Sequence, residues 1–529
     1  MGTPVRSRRG LDAPELTARL AQHLLTHAHH HQAMSLFRKK PIAAILVEAQ
    51  TGEGDAAPSL KRTLGAWQLT MLGIGVVIGA GLFSLTGKVA ADNAGPAVVF
   101  SYMISGLACA FAGLCYAEFA SSVPVAGSAY SYSYATMGEL LAWIIGWDLV
   151  MEYAIGAGTV AVSWSAYFVK FCHQLHIDFP IQFALSPFDS AKLGDGTVVH
   201  GIANLPAAVI VVLMSMLLIR GTKESAWFNS VMVALKVTIV LLVIGLGWSY
   251  MNPANHSPMI PARVSEVLAN GSTIYHFGWQ GVLTGAGLIF FAYIGFDAVS
   301  TAAQEAKNPQ RDLPIGILGS LFICTILYIL FSWVITGLCH YSEFSGLDKL
   351  APVAKALDNM PEQFHWLQQL IVPAILCGFS SVIMVLLMGQ SRVFITMSQD
   401  GLLPKLFSDI HPVRHTPWKS NVLFAVVVGG AVALLPGNAF GEMCSVGTLL
   451  AFVLVCIGVI VLRYTNPDLP RKFRCPLVPL VPALGALCCL TMMAFLPKDT
   501  WWRLLIWMAI GLTIYFLYSR KHSKLNGDS

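Results

Sequence analysis

The chain has 529 residues, of which 55% are apolar and only 12% are Asp, Glu, Lys or Arg. A soluble domain carries about 25% charged residues, so this composition excludes a water-soluble globule of this size and a disordered chain. The net charge of +5 is small and scattered, and it gives no basis for nucleic-acid binding. The 11 cysteines contain no CxxC pair and no disulfide framework, so we interpret none of them as a site.

Residues 1–66 form the one markedly polar segment, which includes a histidine-rich run at 27–31. We interpret that run as part of a solvated tail rather than as a metal-binding tract. A short apolar run at 41–47 lacks the cleavage pattern of a signal peptide, and we therefore predict an interfacial helix in this cytoplasmic tail. Because Met34 opens a sequence typical of a normal start, residues 1–33 are predicted to be an extension without a role in the core.

Beyond the tail, the apolar residues form blocks of about twenty, the length needed to cross a bilayer. The short segments of alternating polarity that indicate an outer-membrane barrel do not occur. We therefore predict an all-α polytopic membrane protein, ending in a second short tail at 520–529. Its twelve predicted transmembrane spans lie near 67–91, 97–121, 137–170, 203–220, 225–250, 278–302, 313–339, 366–397, 421–436, 441–463, 477–496 and 501–519.

The basic residues are distributed unequally between the two sides of these spans. Of the 33 Lys and Arg residues, 24 lie in the tails and in the loops on the same side as the tails, and eight lie in the opposite loops. Cytoplasmic loops carry the excess of Lys and Arg in membrane proteins. The sequence therefore predicts an even number of spans, with the N- and C-termini both cytoplasmic.

Two spans are interrupted by glycines near their midpoints. Each glycine weakens a helix by about 1 kcal/mol, and unwound backbone in a membrane is tolerated only where it lines a cavity. Matching interruptions five spans apart indicate a transporter of two inverted repeats, here 67–250 and 251–463, followed by two extra helices over 464–519. The glycines concerned are Gly73, Gly75, Gly79 and Gly81 in the first span, and Gly285, Gly287 and Gly295 in the sixth.

A broken helix exposes N–H groups where its second half begins and carbonyl groups where its first half ends. The N–H groups suit a carboxylate and the carbonyls suit an ammonium group, and an α-amino acid carries both. Gly79 and Gly81 would let the backbone approach such a ligand closely. The alternative is close helix–helix packing through small residues, but two interrupted spans in corresponding positions favour the binding interpretation.

Lys236 is the only Asp, Glu, Lys or Arg residue between Glu224 and Arg263. It lies about 18 Å beyond Glu224 along a helix, near the middle of a hydrocarbon core about 30 Å thick. A lysine at that depth is costly unless it is neutralised or partnered. We therefore predict a proton-coupling role, in which the protonated amine holds the broken helix and the neutral amine releases it. The alternative is a structural ion pair, for example with Asp297.

Four acidic residues lie well inside spans. Asp148 and Glu152 are four residues apart and share a helix face, and Glu152, nearer mid-span, is the better candidate for a functional role. Glu118 and Asp297 are predicted to tie helices together or to cap broken ends. Because no metal-ligand spacing, nucleophile motif or phosphate loop occurs, we predict no enzyme, no metal and no cofactor other than a coupling proton.

Five motifs stand out along the chain: KRTLG at 61–65, IGAGLF at 78–83, VPVAGSAY at 123–130, GWDLVMEY at 146–153 and NPQRDLP at 308–314. Together with DGLLP at 400–404, they resemble the cationic amino acid transporter family of the amino acid–polyamine–organocation superfamily. The resemblance covers about 35–520. It implies a prokaryotic permease of the cell inner membrane with a LeuT-like five-plus-five inverted repeat, which works by alternating access.

The same resemblance implies roles for individual residues. The substrate carboxylate would be held by Ile78, Gly79, Ala80 and Gly81. Its amino group would be held by carbonyls near Phe291, Ala292 and Ile294, with Phe291 as a gate. Lys236 matches a fifth-helix lysine that takes the place of a sodium ion in sodium-coupled relatives, which implies proton coupling. At the side-chain end, Ser381 beside Ser380 would leave room for a long substrate, and Glu152 is the one candidate acid.

The leading hypothesis is a proton-coupled permease for cationic or small neutral L-amino acids, embedded in the lipid bilayer. The alternatives are an exchanger without proton coupling and an amino acid sensor that does not transport. The sequence leaves open which amino acid is carried, the stoichiometry, the oligomeric state and the presence of a small membrane subunit.

Overall fold

The computed structural model describes residues 36–42, 62–125, 127–192, 198–267, 273–344, 352–496 and 498–526. The predicted extension at 1–33 and most of the predicted interfacial helix fall outside these residues. The helices of the described part are α1 (Ala66–Val77), α2 (Thr86–Val89), α3 (Val98–Ser122), α4 (Ala129–Thr136), α5 (Glu139–Val150), α6 (Gly156–Gln174), α7 (Leu205–Arg220), α8 (Thr222–Gly247), α9 (Gly278–Ile289), α10 (Ala298–Thr301), α11 (Pro309–Leu338), α12 (Pro352–Asp358), α13 (His365–Gln399), α14 (Trp418–Leu434), α15 (Gly437–Thr465), α16 (Leu480–Ala494), α17 (Lys498–Ile514) and α18 (Arg520–His522).

Wider and tighter helical turns join several of these helices. The π-helical turns are Gly81–Leu85, Ala90–Ala94, Met151–Ile155 and Tyr515–Ser519. The 3₁₀ turns nearest the centre of the protein are Phe290–Tyr293 and Ala303–Glu305. Four short strands complete the described structure as two antiparallel hairpins, β1 (Ser190–Lys192) with β2 (Val198–His200), and β3 (Val264–Val267) with β4 (Thr273–His276).

Eight helical stretches of the described residues are long and apolar enough to cross a membrane. The first, Ala66–Ser122, contains both the first and the second predicted span, and three shorter apolar helices coincide with predicted spans four, nine and eleven. The eight stretches are Ala66–Ser122, Glu139–Gln174, Ser225–Tyr250, Gly278–Thr301, Pro309–Leu338, Glu362–Gln399, Met443–Thr465 and Asp499–His522. The protein is therefore a polytopic all-α membrane protein with small hairpins between helices.

Local sequence explains where the helices begin. Asn204 caps α7, because its side chain accepts a hydrogen bond from the amide of Ala207 at 3.2 Å. Pro309 opens α11, where its fixed φ angle suits a helix and its missing N–H is not needed. Both devices fix the helix starts in the polar segments that flank the apolar stretches.

The described chain ends meet on one face of the bundle, which we call the terminal face. The Lys40 ammonium lies 2.5 Å from Asp400, and Arg38 donates to the side chain of Asn526 at 2.7 Å. The two hairpins lie at the opposite ends of the helices, on the hairpin face. Between the faces, α1 packs closely against α11, since a Cβ on Gly73 would lie 2.3 Å from the Ser320 hydroxyl oxygen.

Candidate functional site

The first helix breaks where its glycines predict an interruption. Helix α1 ends at Val77, and Ile78 adopts an extended conformation with φ −74° and ψ 99°. Helical structure resumes with the π-helical turn Gly81–Leu85. Since the amide groups that begin a helix lack intrahelical acceptors, this segment presents N–H groups in the middle of the bundle.

A second break lies in the sixth predicted span. Helix α9 gives way to the 3₁₀ turn Phe290–Tyr293, after which Ile294 is extended with ψ 137°. Gly295 follows with a φ of +104°, a conformation that favours glycine. The short helix α10 then continues the span.

The two breaks are in direct contact. A Cβ on Gly81 would lie 2.2 Å from the Cα of Ala292, and a Cβ on Gly295 would lie 2.5 Å from a methyl group of Val76. These distances are too short for any side chain. Glycine at position 81 therefore lets the two backbones lie side by side, and glycine at position 295 allows both its positive φ and the close packing of Val76.

Tyrosine hydroxyls satisfy the carbonyls that the breaks expose. Tyr328 of α11 donates to the carbonyl of Ala292 at 2.9 Å and also lies against the carbonyl of Val77, so one side chain spans both breaks. Tyr102 reaches the carbonyl of Gly81 at 3.1 Å, and Tyr167 reaches that of Phe83 at 3.1 Å. The sequence analysis missed all three. Their only sequence signal is a tyrosine within an apolar span, where the hydroxyl needs a partner.

Lys236 of α8 is fully buried and holds the end of α1. Its ammonium group donates to the carbonyl of Gly75, to the carbonyl of Ile78 at 2.8 Å and to the hydroxyl of Ser381 at 2.9 Å. Three acceptors match the three N–H groups of a protonated lysine. The alternative of an ion pair with Asp297 is not what the structure shows, because Asp297 accepts a hydrogen bond from Tyr153 instead.

A narrow cavity lies between the two breaks and helices α6 and α13. Its lining residues are backbone-exposing glycines and apolar side chains: Val76, Val77, Gly79, Ala80, Gly81, Gly156, Val160, Phe291, Ile294, Val382 and Leu386. Of the predicted substrate residues, Gly79, Ala80, Gly81, Phe291 and Ile294 therefore share one cavity. Ile78 and Ala292 lie in the breaks themselves, with their carbonyls bound to Lys236 and Tyr328.

The structure does not bring Ser381 or Glu152 to this cavity. The Ser381 hydroxyl accepts a hydrogen bond from Lys236 instead. A buried ammonium group is costly unless it has hydrogen-bond acceptors. Glu152 lies in the π-helical turn Met151–Ile155, where its buried carboxyl oxygens have no hydrogen-bond partner among the described residues. The cavity is instead lined by Gly156, one helical turn further along.

The remaining buried acids differ in whether they have a hydrogen-bond partner among the described residues. Glu118 accepts two hydrogen bonds from Arg463, at 2.7 and 2.8 Å, and ties α3 to α15 as predicted. Asp148 is buried without a hydrogen-bond partner among the described residues. Sequence reasoning missed the buried ion pair between Glu305 and Arg392, which links the end of the sixth span to α13.

The described residues contain no group of three or more His, Cys, Asp or Glu side chains that could hold a metal ion. What the site offers is backbone N–H and carbonyl groups, a buried lysine and an apolar cavity. Apolar helices that surround paired helix breaks define a multi-pass α-helical membrane protein with an internal cavity.

The chain belongs to the amino acid permease family, whose model matches residues 64–516. It is 46% identical to the branched-chain amino acid permease BcaP of Bacillus subtilis over 492 residues, which is 93% of this chain and 99% of that protein. It is 43% identical to the methylthioribose transporter of the same organism over the same shares. The vacuolar cationic amino acid transporter 4 of Arabidopsis thaliana is 35% identical over 82% of this chain and 68% of its own length. The resemblance to the amino acid–polyamine–organocation superfamily is thereby confirmed.

Proposed function

We propose that the chain is a secondary active permease that takes up neutral aliphatic L-amino acids together with a proton. The observation that carries this proposal is the apolar cavity between two contacting helix breaks. The N–H groups that follow the first break would hold the substrate carboxylate. The carbonyls of Phe291 and Ile294 would hold its ammonium group, and the hydrophobic lining would take the side chain.

The lining favours an aliphatic side chain over a cationic one. Among the described residues, no carboxylate lines the cavity, and a buried cation without a partner is costly. Methyl groups of Val160, Val382 and Leu386 face this space instead. The printed name of one relative, a branched-chain amino acid permease, supports the same substrate class.

We further propose twelve membrane crossings arranged as the inverted repeats 67–250 and 251–463, with two extra helices over 464–519. The stretch Ala66–Ser122 would cross twice and the three shorter apolar helices once each. The contacts of Lys40 with Asp400 and of Arg38 with Asn526 support an even number of crossings, since both chain ends reach one face. The excess of Lys and Arg on that side supports a cytoplasmic terminal face in the plasma membrane.

Lys236 would couple the proton to substrate movement. A protonated amine satisfies the carbonyls of Gly75 and Ile78 together with Ser381. A neutral amine has only two N–H donors, so at least one of these contacts weakens and the end of α1 is released. Substrate binding beside Ile78 and movement of α1 would thus depend on the protonation state of one side chain.

Uptake by purified protein in proteoliposomes tests the proposal. With an acidic exterior, we expect labelled leucine to accumulate, and unlabelled valine or isoleucine to compete better than arginine or lysine. The Lys236→Met variant should lose pH-driven accumulation. Leucine counterflow without any response to a pH gradient would instead favour an exchanger, and leucine binding without flux would favour a sensor.

A further inference from the structure

A second pocket lies on the terminal-face side of Lys236 and, unlike the first cavity, is lined by polar side chains. This pocket lies between α1, α8, α13 and the turn Ala303–Glu305. Its polar lining residues are Gln68, Ser225, Asn229, Ser230 and Glu305. A further cavity shares Ser225 and Met388 with it and continues past Ser391 and Arg392 towards the terminal face. The two cavities together form a route, which we call the polar route.

Asn229 lies at the inner end of the polar route. It is seven residues before Lys236 on α8, and residues seven apart share a helix face about 10 Å from each other. The side chains of Lys236 and Asn229 both contact Gly75 of α1. The Lys236 ammonium donates to the carbonyl of Gly75, and a Cβ on Gly75 would lie 2.4 Å from the Asn229 side-chain oxygen.

The hydrogen bonding of Asn229 is incomplete. Its amide nitrogen donates to the carbonyl of Met71 at 3.3 Å. Its side-chain oxygen is buried and has no hydrogen-bond partner among the described residues. A buried polar atom without a partner costs free energy, and in a polar pocket a bound water molecule ordinarily supplies the missing hydrogen bond.

We propose that the polar route holds water and that Asn229 positions the water molecule through which the Lys236 proton leaves to the terminal face. This inference rests on the proposed proton coupling. The ammonium group of Lys236 gives one proton to the water chain and becomes a neutral amine. The proton passes along the water past Glu305 to the cytoplasm, and the Asn229 amide is unchanged.

The charged and titratable groups around the route are consistent with this direction. Cys324 of α11 is buried near Lys236, but it lines neither cavity of the route. At the outer end, the carboxylate of Glu305 is ion-paired with Arg392. The ion pair stands between the pocket and the cavity that leads to the terminal face, where it would order water as well as close the route.

The test compares two transport modes of Asn229→Leu in proteoliposomes. Net uptake driven by a pH gradient requires Lys236 to deliver its proton to the terminal face in every cycle, whereas leucine counterflow at equal pH requires no net delivery of protons to that face. We expect Asn229→Leu to slow pH-driven uptake at least tenfold and to leave counterflow within twofold of the unsubstituted protein. Asn229→Ser, which keeps an oxygen and leaves room for a further water molecule, should retain most of the pH-driven rate.

Asn255→Leu is the matched control, because Asn255 also donates to a backbone carbonyl, that of Gly337 at 2.8 Å, but lies on the hairpin face. Asn255→Leu should change pH-driven uptake and leucine counterflow to the same extent. Equal loss of both modes in Asn229→Leu and Asn229→Ser would overturn the inference in favour of a structural role. Unchanged pH-driven uptake in Asn229→Leu would overturn it as well. Failure of the proposed function is distinguishable, since the unsubstituted protein would then show no pH-driven uptake.

Discussion

At the scale of single residues, hydroxyl groups take the place that water has at a helix break in a soluble protein. Tyr328 serves carbonyls on both breaks. Tyr102 serves Gly81 and also shares a hydrogen bond of 2.7 Å with Thr86. In a membrane every backbone polar group needs a partner within the protein. These side chains therefore stabilise the unwound backbone within the membrane, and they fix its geometry around the cavity.

Tyr328→Phe is expected to weaken substrate binding by about tenfold. Loss of the hydroxyl leaves the carbonyls of Val77 and Ala292 with one partner fewer, at a cost of about 1–3 kcal/mol. The two breaks would then lose their common anchor. Leucine affinity and Tm in detergent measure the effect. Tyr464→Phe is the control, since that side chain is 74% exposed, and equal behaviour of the two variants would contradict the anchoring role.

Lys236 could be predicted from sequence because no other charged side chain lies near it along the chain. Its partners could not, since two are backbone carbonyls and the third, Ser381, belongs to a helix whose rotation relative to α8 leaves no trace in the sequence. The same missing information affects Glu152, which does not line the cavity and whose buried carboxyl oxygens have no hydrogen-bond partner among the described residues. The sequence shows which ionisable groups lie within the membrane spans, but it does not show the direction in which each side chain points.

At the scale of helices, the glycines of the first span have two different structural roles, unwinding and close packing. Gly79 and Gly81 lie in or beside the break, where the glycine pattern predicts unwinding. Gly73 and Gly75 remain helical, and the first packs against Ser320 while the second packs against Asn229. The packing alternative therefore describes one pair and the unwinding interpretation the other. The sequence pattern alone could not separate them, because both uses demand a missing side chain.

Gly81→Ala should disrupt the contact between the two breaks. The added methyl group would meet the backbone of Ala292 at 2.2 Å, and overpacking of this kind costs about 1–3 kcal/mol. We expect a lower Tm in detergent and a leucine uptake rate reduced at least tenfold.

Gly245→Ala is the control for that substitution, because a Cβ at Gly245 of α8 would meet nothing within 4 Å. Alanine favours a helix over glycine by about 1 kcal/mol, so this variant should be as stable as the unsubstituted protein or more so. A Gly81→Ala protein with unchanged Tm and unchanged uptake would mean that the breaks separate without cost.

At the scale of the whole molecule, the terminal face is held together by charges from distant parts of the chain. Glu139 at the start of α5 accepts hydrogen bonds from Tyr515 at 2.9 Å and from Ser523 near the C-terminus, and Arg38 lies 3.5 Å from it. The distribution of Lys and Arg along the sequence predicts a common side for both tails. That distribution does not show which acidic residue each basic residue pairs with, because those ion pairs form only when the helices are assembled.

Glu118 offers the clearest test of how far such buried charges stabilise the assembled bundle. Its carboxylate is fully buried, binds Arg463 through both oxygens and accepts the amide of Cys475 at 2.7 Å. Glu118→Gln leaves the guanidinium groups of Arg463 and Arg471 without their anion. Breaking a buried pair from one side costs about 3–5 kcal/mol, so we expect a clear fall in Tm and a smaller folded fraction. Asp409→Asn is the control, because Asp409 and Lys419 are 46% and 37% exposed, and exposed pairs contribute about 0–1 kcal/mol. Equal Tm values for the two variants would show that α3 and α15 are held together by their apolar contacts rather than by this ion pair.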